Sequence, residues 1–303
     1  MSGYRRALLF ALAFVLTACS GPQRSATPVQ RQPSPTPSPK PTMELPFVGP
    51  VIFPKYRVVA YYGSAATPAM GILGDGSPEQ AARRLTSQAK AYDSLGRPVI
   101  PALELIATMA QGAPGLHDRY NMPTDGAVVA RYLDAARRAK ALLIIDVQPG
   151  RASFLPEVKR YERFLLQPDV GLALDPEWEM SAGQIPAQTI GHTTAAEVNA
   201  VSAYLSNLVQ TRHLPQKVLL VHQFIADMVL DRRDVRPRPG LAVTFNIDGF
   251  GSRAGKLSKY KALSTAKGPF FNGIKLFYKQ DIDMFSARET AGLKPSPNIV
   301  VYQ

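Results

Sequence analysis

The sequence predicts an α/β fold: a (β/α)8 TIM barrel without a helix after its eighth strand. Eight apolar, strand-like segments alternate with helix-like segments over about 260 residues, the usual size of that fold. Each apolar segment becomes polar only at its end. In the fourth segment Leu172 and Leu174 fall on one face, while Ala173, Asp175 and Glu177 fall on the other, as expected for a barrel wall.

An open, doubly wound sheet is the alternative, because it can also carry eight strands. Such sheets usually place a Gly-rich phosphate loop directly after the first strand. The glycines between Gly71 and Gly76 lie several residues beyond that strand and do not fit the fingerprint. The closed barrel is therefore the favoured prediction.

The N-terminal residues predict an exported, lipid-anchored protein. Arg5 and Arg6 precede an apolar run, so residues 1–18 are typical of a signal peptide. The segment ends in Leu-Thr-Ala-Cys and resembles a bacterial lipobox, which implies a lipid on Cys19, the only cysteine. Residues 19–43 are rich in Pro, Ser and Thr and predict a disordered tether. The barrel domain is predicted over residues 44–303, with residues 48–53 covering its bottom.

The predicted elements follow in order along this domain. The strands are expected at residues 57–63, 99–106, 142–147, 171–175, 217–223, 241–248, 273–278 and 298–302. A first helix is expected after the N-cap Ser77, with Pro78 at its first position. Further helices are expected at residues 125–140, from 153, and at 194–212, 225–231, 252–265 and 281–289. A long loop, residues 110–123, precedes the second helix.

The strand ends predict where a site would lie, because the carboxyl ends of barrel strands converge on one mouth. The candidate catalytic residues are Asp175 and Glu177. The candidate substrate-binding residues are Tyr62, Glu104, Asp146, Gln148, Arg151, Trp178, His222, Asp248 and Tyr302.

Two of these candidates carry a structural expectation. Glu104 lies inside an apolar run and should be buried and paired, with Arg151 and Lys275 as candidate partners. Alternation lets only one of His222 and Gln223 face the mouth, and we expect His222. Asp146 fits a structural role and a functional role equally well.

Two acids spaced two residues apart on one strand suit acid-assisted hydrolysis. Their Cα atoms should lie roughly 6–7 Å apart on the same face. One charged acid can then raise the pKa of the other, which stays protonated as a general acid. This device recurs in glycoside hydrolysis. The rings of Tyr61, Tyr62, Trp178 and Tyr302 could offer flat apolar surfaces to sugars.

The Asp-x-Glu motif at the end of the fourth strand resembles glycoside hydrolase families 25 and 18. The resemblance implies that Glu177 is the general acid and that Asp175 assists a substrate N-acetyl group. It is confined to this motif and to the strand–helix alternation. The fuller chitinase signature, Asp-x-x-Asp-x-Asp-x-Glu, is absent, since Val170 and Ala173 stand at its first two Asp positions.

Other chemistries have less support in the sequence. No HxH, HExxH, paired-Cys or Gly-x-Ser-x-Gly motif is present, so we expect no cofactor, no His-rich metal site and no serine hydrolase elbow. A divalent cation held by Asp146, Asp175 and Asp248 is a weaker alternative.

The charge of the chain indicates its class of partner. A formal net charge of +12 on an exported protein favours anionic envelope polymers or acidic glycans, although a basic surface can also serve solubility alone. Nucleic acid is not expected, because the arginines between residues 232 and 238 lack interleaved aromatic residues. The leading hypothesis is therefore a lipid-anchored glycoside hydrolase-like protein. The alternative is a barrel that binds a glycan without chemistry, which a mouth blocked by the 110–123 loop would favour.

Overall fold

The computed structural model describes residues 44, 45 and 47–303. The predicted signal peptide, Cys19 and the tether lie outside these residues. Eight parallel strands form the body of the fold. They are β1 Arg57–Gly63, β2 Val99–Ala110, β3 Leu142–Val147, β4 Val170–Leu174, β5 Lys217–Gln223, β6 Leu241–Ile247, β7 Phe271–Leu276 and β8 Ile299–Tyr302.

The strands pair in sequence order around a closed barrel. β1 pairs with β2 on one side and with β8 on the other, so Val58 lies opposite both Ile100 and Ile299. The remaining neighbours follow one another from β2 to β8. This closure confirms the (β/α)8 TIM-barrel prediction and excludes the open sheet.

Seven α-helices lie in the connections between strands. They are α1 Pro78–Lys90, α2 Gly126–Arg138, α3 Phe154–Lys159, α4 Glu162–Leu165, α5 Ala195–Thr211, α6 Arg253–Leu263 and α7 Ala287–Gly292. The first begins as predicted, with the Ser77 side chain accepting from the Gln80 amide in a capping box. No helix of the described residues is long and apolar enough to cross a membrane.

Two predicted helices are wrong in detail. Residues 225–231 contain a 3₁₀ turn, Ala226–Met228, and a short strand, Val229–Leu230, that pairs with Thr193–Thr194. Asp231 then takes a left-handed conformation. The helix expected from residue 281 begins only at Ala287, because the Asp281 carboxylate accepts hydrogen bonds from two backbone amides and from Lys256 instead.

Alternation along the strands separates two apolar layers. Leu172 and Leu174 pack in the outer layer, between the barrel and the helices. Ala173 packs in the inner layer, inside the barrel. β4 therefore presents its faces as predicted.

The segment before β1 closes the bottom of the barrel, as predicted. Ile52 and Phe53 are 2% exposed and pack in the inner layer, where Phe53 meets the ring of Phe271. Their backbone amides both donate to the side chain of Gln216, which lies just before β5. The barrel is therefore filled below and is accessible only at the opposite end.

Candidate functional site

The upper inward positions of the strands carry polar side chains. The strand parity that buries Val218 and Leu220 inside the barrel also turns His222 inward, as expected. The same parity points Tyr62, Glu104, Asp146, Asn246 and Lys275 to the centre. Asp175 and Asp248 continue this layer just beyond the ends of β4 and β6. The apolar inner layer below these groups separates them from water at the bottom of the barrel.

His222 lies at the centre of this layer between two acids. Its Nδ1 is 2.9 Å from Asp248 Oδ2, and its Nε2 is 2.8 Å from Glu104 Oε1. Burial alone would lower the pKa of His222, but the charges and hydrogen bonds of Glu104 and Asp248 outweigh it and raise that pKa well above its usual value. Although burial acts against ionisation, the same contacts hold the pKa of Asp248 below its usual value. The two acidic neighbours therefore favour the protonated form of His222, which bridges them.

A second group of contacts joins Asp146 and Asp175. The Tyr62 hydroxyl is 3.2 Å from Asp146 Oδ2 and 3.4 Å from Asp175 Oδ2. Gln148 Nε2 donates to the Tyr62 oxygen at 3.1 Å and reaches Asp175 Oδ2 at 3.5 Å. Burial and the neighbouring Asp175 charge raise the pKa of Asp146 well above its usual value. Burial also raises the pKa of Asp175, while the positive charges of His222 and Lys275 oppose that shift.

Several buried acceptors in this layer have no hydrogen-bond donor among the described residues. They are Glu104 Oε2, Asp146 Oδ1, Asp175 Oδ1, Asn246 Oδ1 and Asp248 Oδ1. Burying such groups unpaired is costly, and of the five residues only Asp175 and Asp248 line the mouth, where a ligand could donate to them.

One subset of these groups has the geometry of a cation site. Glu104, Asp146 and His222 offer ligand atoms within 4.8 Å of one another, and Asp248 supports the His222 ring from behind, as second-shell carboxylates do in metal sites. A metal there would have to displace the proton that His222 Nε2 shares with Glu104. The set of cation ligands considered from the sequence was different: Asp146, Asp175 and Asp248. Only Asp146 belongs to the group found here, and Glu104 and His222 stand in place of the other two.

Glu177 stands above this layer at the mouth. The chain turns sharply after β4 through the 3₁₀ turn Pro176–Trp178, which places Glu177 and Trp178 half-buried on one wall. Burial, followed by the charges of Asp175 and Asp248, raises the pKa of Glu177 to about 8. A carboxyl group with this pKa is largely protonated at neutral pH.

The mouth is a cavity of about 420 Å³. Tyr62, Gln148, Asp175, Glu177 and Asp248 form its polar floor. Its walls carry six apolar residues, most of them aromatic; they are Met70, Trp178, Ile190, Phe224, Phe250 and Phe277. Phe250 is 62% exposed and contacts the ring of Phe277 edge-on. The volume lies within the range of small-molecule sites, and an aromatic wall above a polar floor suits the two faces of a sugar ring.

The structure brings most predicted site residues together but sets two apart. Tyr302 faces the helices, where its hydroxyl is 2.7 Å from that of Tyr92, because Ile299 and Val301 take the inward positions of β8. Arg151 contacts the side chain of Asp118, 2.8 Å away, and stacks on Tyr120. Neither residue lines the cavity.

The expected partners of Glu104 are also corrected. Glu104 is buried and paired, as predicted, but its partner is His222. Arg151 is committed to Asp118, and Lys275 makes no ion pair with Glu104 within 4.0 Å. His222 reaches Glu104 across the barrel interior, because β5 and β2 are not neighbouring strands.

Other cavity residues were missed in the sequence analysis. The aromatic residues Phe224, Phe250 and Phe277 come from the connections after β5, β6 and β7. Two lysines, Lys259 and Lys275, also line the cavity. The inward parity of Lys275 was readable in the sequence, whereas nothing in the sequence showed which connections fold over the mouth.

The 110–123 loop does not line the cavity. Its residues Asn121–Pro123 pair antiparallel with an extension of β2, and Arg119 pairs with the buried Glu157. The loop is therefore held on the side of the barrel, and the mouth is open.

Comparison with known proteins identifies no family. No protein-family model and no curated protein matches the chain. Among solved structures, tryptophan synthase from M. tuberculosis, in an open form with BRD0059 bound, is 11% identical with a TM-score of 0.36, covering 82% of both chains. A ligand-free form of the same enzyme, with a mutant TrpA, is 13% identical with a TM-score of 0.33, covering 82% of this chain and 83% of the other. Likenesses this distant say nothing about chemistry.

Proposed function

We propose that the cavity hydrolyses a glycosidic bond with Glu177 as the proton donor. The observation that carries this proposal is a half-buried carboxyl group, with a pKa raised to about 8, facing an open cavity of saccharide size. A general acid works best when its pKa lies near the working pH, so that it is protonated and can still release its proton. The Asp-x-Glu resemblance to glycoside hydrolase families 25 and 18 points to the same residue.

The environment of Asp175 suits the second role in this reaction. Its Oδ2 is the shared acceptor of Tyr62 and Gln148, and His222 and Lys275 both favour its charged form. Burial raises the pKa of both acids, but the largest charge effect at Asp175, that of His222, opposes the shift, whereas the largest at Glu177, that of Asp175, adds to it. We therefore assign the proton to Glu177 and the charge to Asp175. Asp175 Oδ1 has no donor among the described residues and is free to accept one from a substrate N-acetyl or hydroxyl group.

The proposed reaction balances without a cofactor. Glu177 gives its proton to the glycosidic oxygen, the bond from that oxygen to the anomeric carbon breaks, and the positive charge that develops there is stabilised by Asp175. Water then adds to the anomeric carbon, and its proton returns to Glu177. The aromatic walls would hold the sugar rings while Trp178 packs beside the cleaved bond.

The test is product release from peptidoglycan and other envelope glycans. New reducing ends should appear with the parent protein and fall by at least about 100-fold with Glu177→Gln, the usual scale for a positioned general acid. Glu79→Gln, on the first turn of α1 and away from the cavity, is the matched control and should retain activity. A parent that binds a glycan but releases no product would instead make this a glycan-binding barrel.

We also propose that the protein acts outside the membrane, held there by a lipid on Cys19. The support is the positive and apolar leader, the Leu-Thr-Ala-Cys ending and the single cysteine of the chain. Mass spectrometry of detergent-extracted protein should find a mature N-terminus at Cys19 that carries acyl chains. An unacylated chain beginning elsewhere would overturn this part of the proposal.

A further inference from the structure

Lys275 is a buried cation without a polar partner. It is 4% exposed, and its Nζ lies 3.4 Å from the centre of the Tyr62 ring while the side chain lines the cavity. Within the part of the chain that the structure describes, its ammonium makes no hydrogen bond and has no carboxylate within 4.0 Å. Buried ammonium groups are almost always paired. The charge of Lys275 acts on Asp175 and Glu177 only at longer range, so the cavity presents an ammonium group that no carboxylate pairs with directly.

A second lysine lies on the same wall. Lys256 donates to the backbone oxygens of Lys275 and Gly249, which fixes this face of α6 against the ends of β6 and β7. Lys259 lies one turn further along the helix and packs over Gly249. The contact is close: a Cβ added to Gly249 would lie 2.4 Å from the Lys259 Nζ. Lys259 also lines the cavity, and among the described residues it too has no ion pair.

The two amines and the proposed catalytic acids come from different parts of the barrel wall, although the charge of Lys275 still acts on Asp175 and Glu177. Lys275 belongs to β7, three strands away from β4 around the barrel, and Asp175 and Glu177 follow β4. A ligand in the cavity therefore meets the acids of the floor and, beside them, two ammonium groups.

We propose that Lys275 and Lys259 form an anion-binding subsite, and that the glycan accepted by the cavity carries a carboxylate on the sugar bound there. This inference deepens the proposed function, on which its reference to a glycan substrate rests. The charges around the cavity permit an anion: the three carboxylates of Glu104, Asp175 and Asp248 are matched in number by the cations of His222, Lys275 and Lys259, and Glu177 keeps its proton. A carboxylate fits better than a phosphate ester, whose near-double charge would be repelled more strongly by Asp175 and Asp248.

The single tryptophan gives a direct binding assay, because Trp178 lines the cavity. The probes are a tetragalacturonate and a tetramer of alternating glucuronate and N-acetylglucosamine, each beside its carboxyl-reduced form. Reduction converts the carboxylate to a primary alcohol and leaves the sugar backbone unchanged. At least one acidic tetramer should change the fluorescence with an affinity about tenfold or more above its reduced form, a preference that weakens with salt.

Two lysine variants should remove this preference. Lys275→Met and Lys259→Met each keep the length of the side chain and should each lower affinity for the acidic tetramer about tenfold, with little effect on the reduced form. Lys261→Met, at an exposed position of the same helix, is the matched control. Lys259 is only half-buried, so its variant provides the test even if Lys275→Met fails to fold.

Equal affinity for acidic and reduced tetramers, binding of neither, or unchanged selectivity in both lysine variants would overturn the subsite. Failure of the proposed hydrolysis would look different. In that case the acid-selective binding would persist in the parent and in Glu177→Gln, but neither would release product.

Discussion

Glu177 provides the sharpest test of the proposed mechanism, because its protonation can be followed as a function of pH. With a pKa of about 8 the group is roughly 90% protonated at pH 7, whereas an ordinary glutamate would be protonated in only about 0.3% of molecules. The site thus increases the population of the active acid by about 300-fold at this pH. The value of kcat/KM should therefore stay high through neutrality and fall above about pH 8.

The charge of Asp175 accounts for part of the rise in the pKa of Glu177, and a substitution at Asp175 removes that part alone. Asp175→Asn eliminates the largest charge contribution after burial and should move the alkaline fall of kcat/KM to lower pH. Glu177→Gln should lower kcat/KM by at least about 100-fold and abolish the alkaline fall. The measurement is kcat/KM on the released-product assay from about pH 5 to pH 10, with Glu79→Gln as the control. An alkaline limb that persists in Glu177→Gln, or one that stays in place in Asp175→Asn, would refute this reasoning.

Four further predictions concern stability. Burial and the nearby Glu197 raise the pKa of Glu179 to about 8. Between about pH 4.5 and pH 8 this group therefore keeps its proton in the folded state, whereas it loses the proton in the unfolded chain. The free energy of unfolding should therefore fall with rising pH in this window, by up to about 1.4 kcal/mol per unit, and urea titrations of Glu179→Gln should show a shallower fall than the parent. His222→Gln removes the group that bridges Glu104 and Asp248 and should cost about 3–5 kcal/mol in the same titration at pH 7. A loss under about 1 kcal/mol would contradict a charged bridge at this position. Phe53→Ala opens the bottom of the barrel and should cost about 3–5 kcal/mol, whereas a chain beginning at Glu44 should melt within a few degrees of one beginning at residue 20.

The fold could be predicted because each strand carries its own signal. Runs of Val, Ile and Leu recur at helix-sized intervals, and the parity of β4 and β5 correctly separated inward from outward residues. The same parity, applied to β8, would have turned Tyr302 away from the mouth, since Ile299 and Val301 occupy the inward positions. Tyr302 was predicted at the mouth because it ends its strand, but the alternation along β8 decides which way its side chain points.

Long-range pairing and loop paths could not be predicted in the same way. The Glu104–His222 contact joins residues 118 positions apart on strands that are not neighbours, so no local pattern reveals it. Whether Phe250 or Arg151 folds over the mouth depends on the connections after β6 and β3, which are held by contacts such as Lys256 with Gly249 and Arg151 with Asp118. These contacts form only in the assembled barrel.

The closed bottom of the barrel also decides how the domain can be immobilised without blocking its cavity. Leu45, Ile52 and Phe53 enter the inner layer from below, so the described part of the domain begins at the end opposite the cavity. A solid support, a fusion partner or a surface attached directly to a domain that begins at Glu44 therefore approaches the sealed end. Polymeric ligands too long to pass around the domain should still thread across the open face of the immobilised protein. Attachment through the connections after β6 or β7 should hinder them.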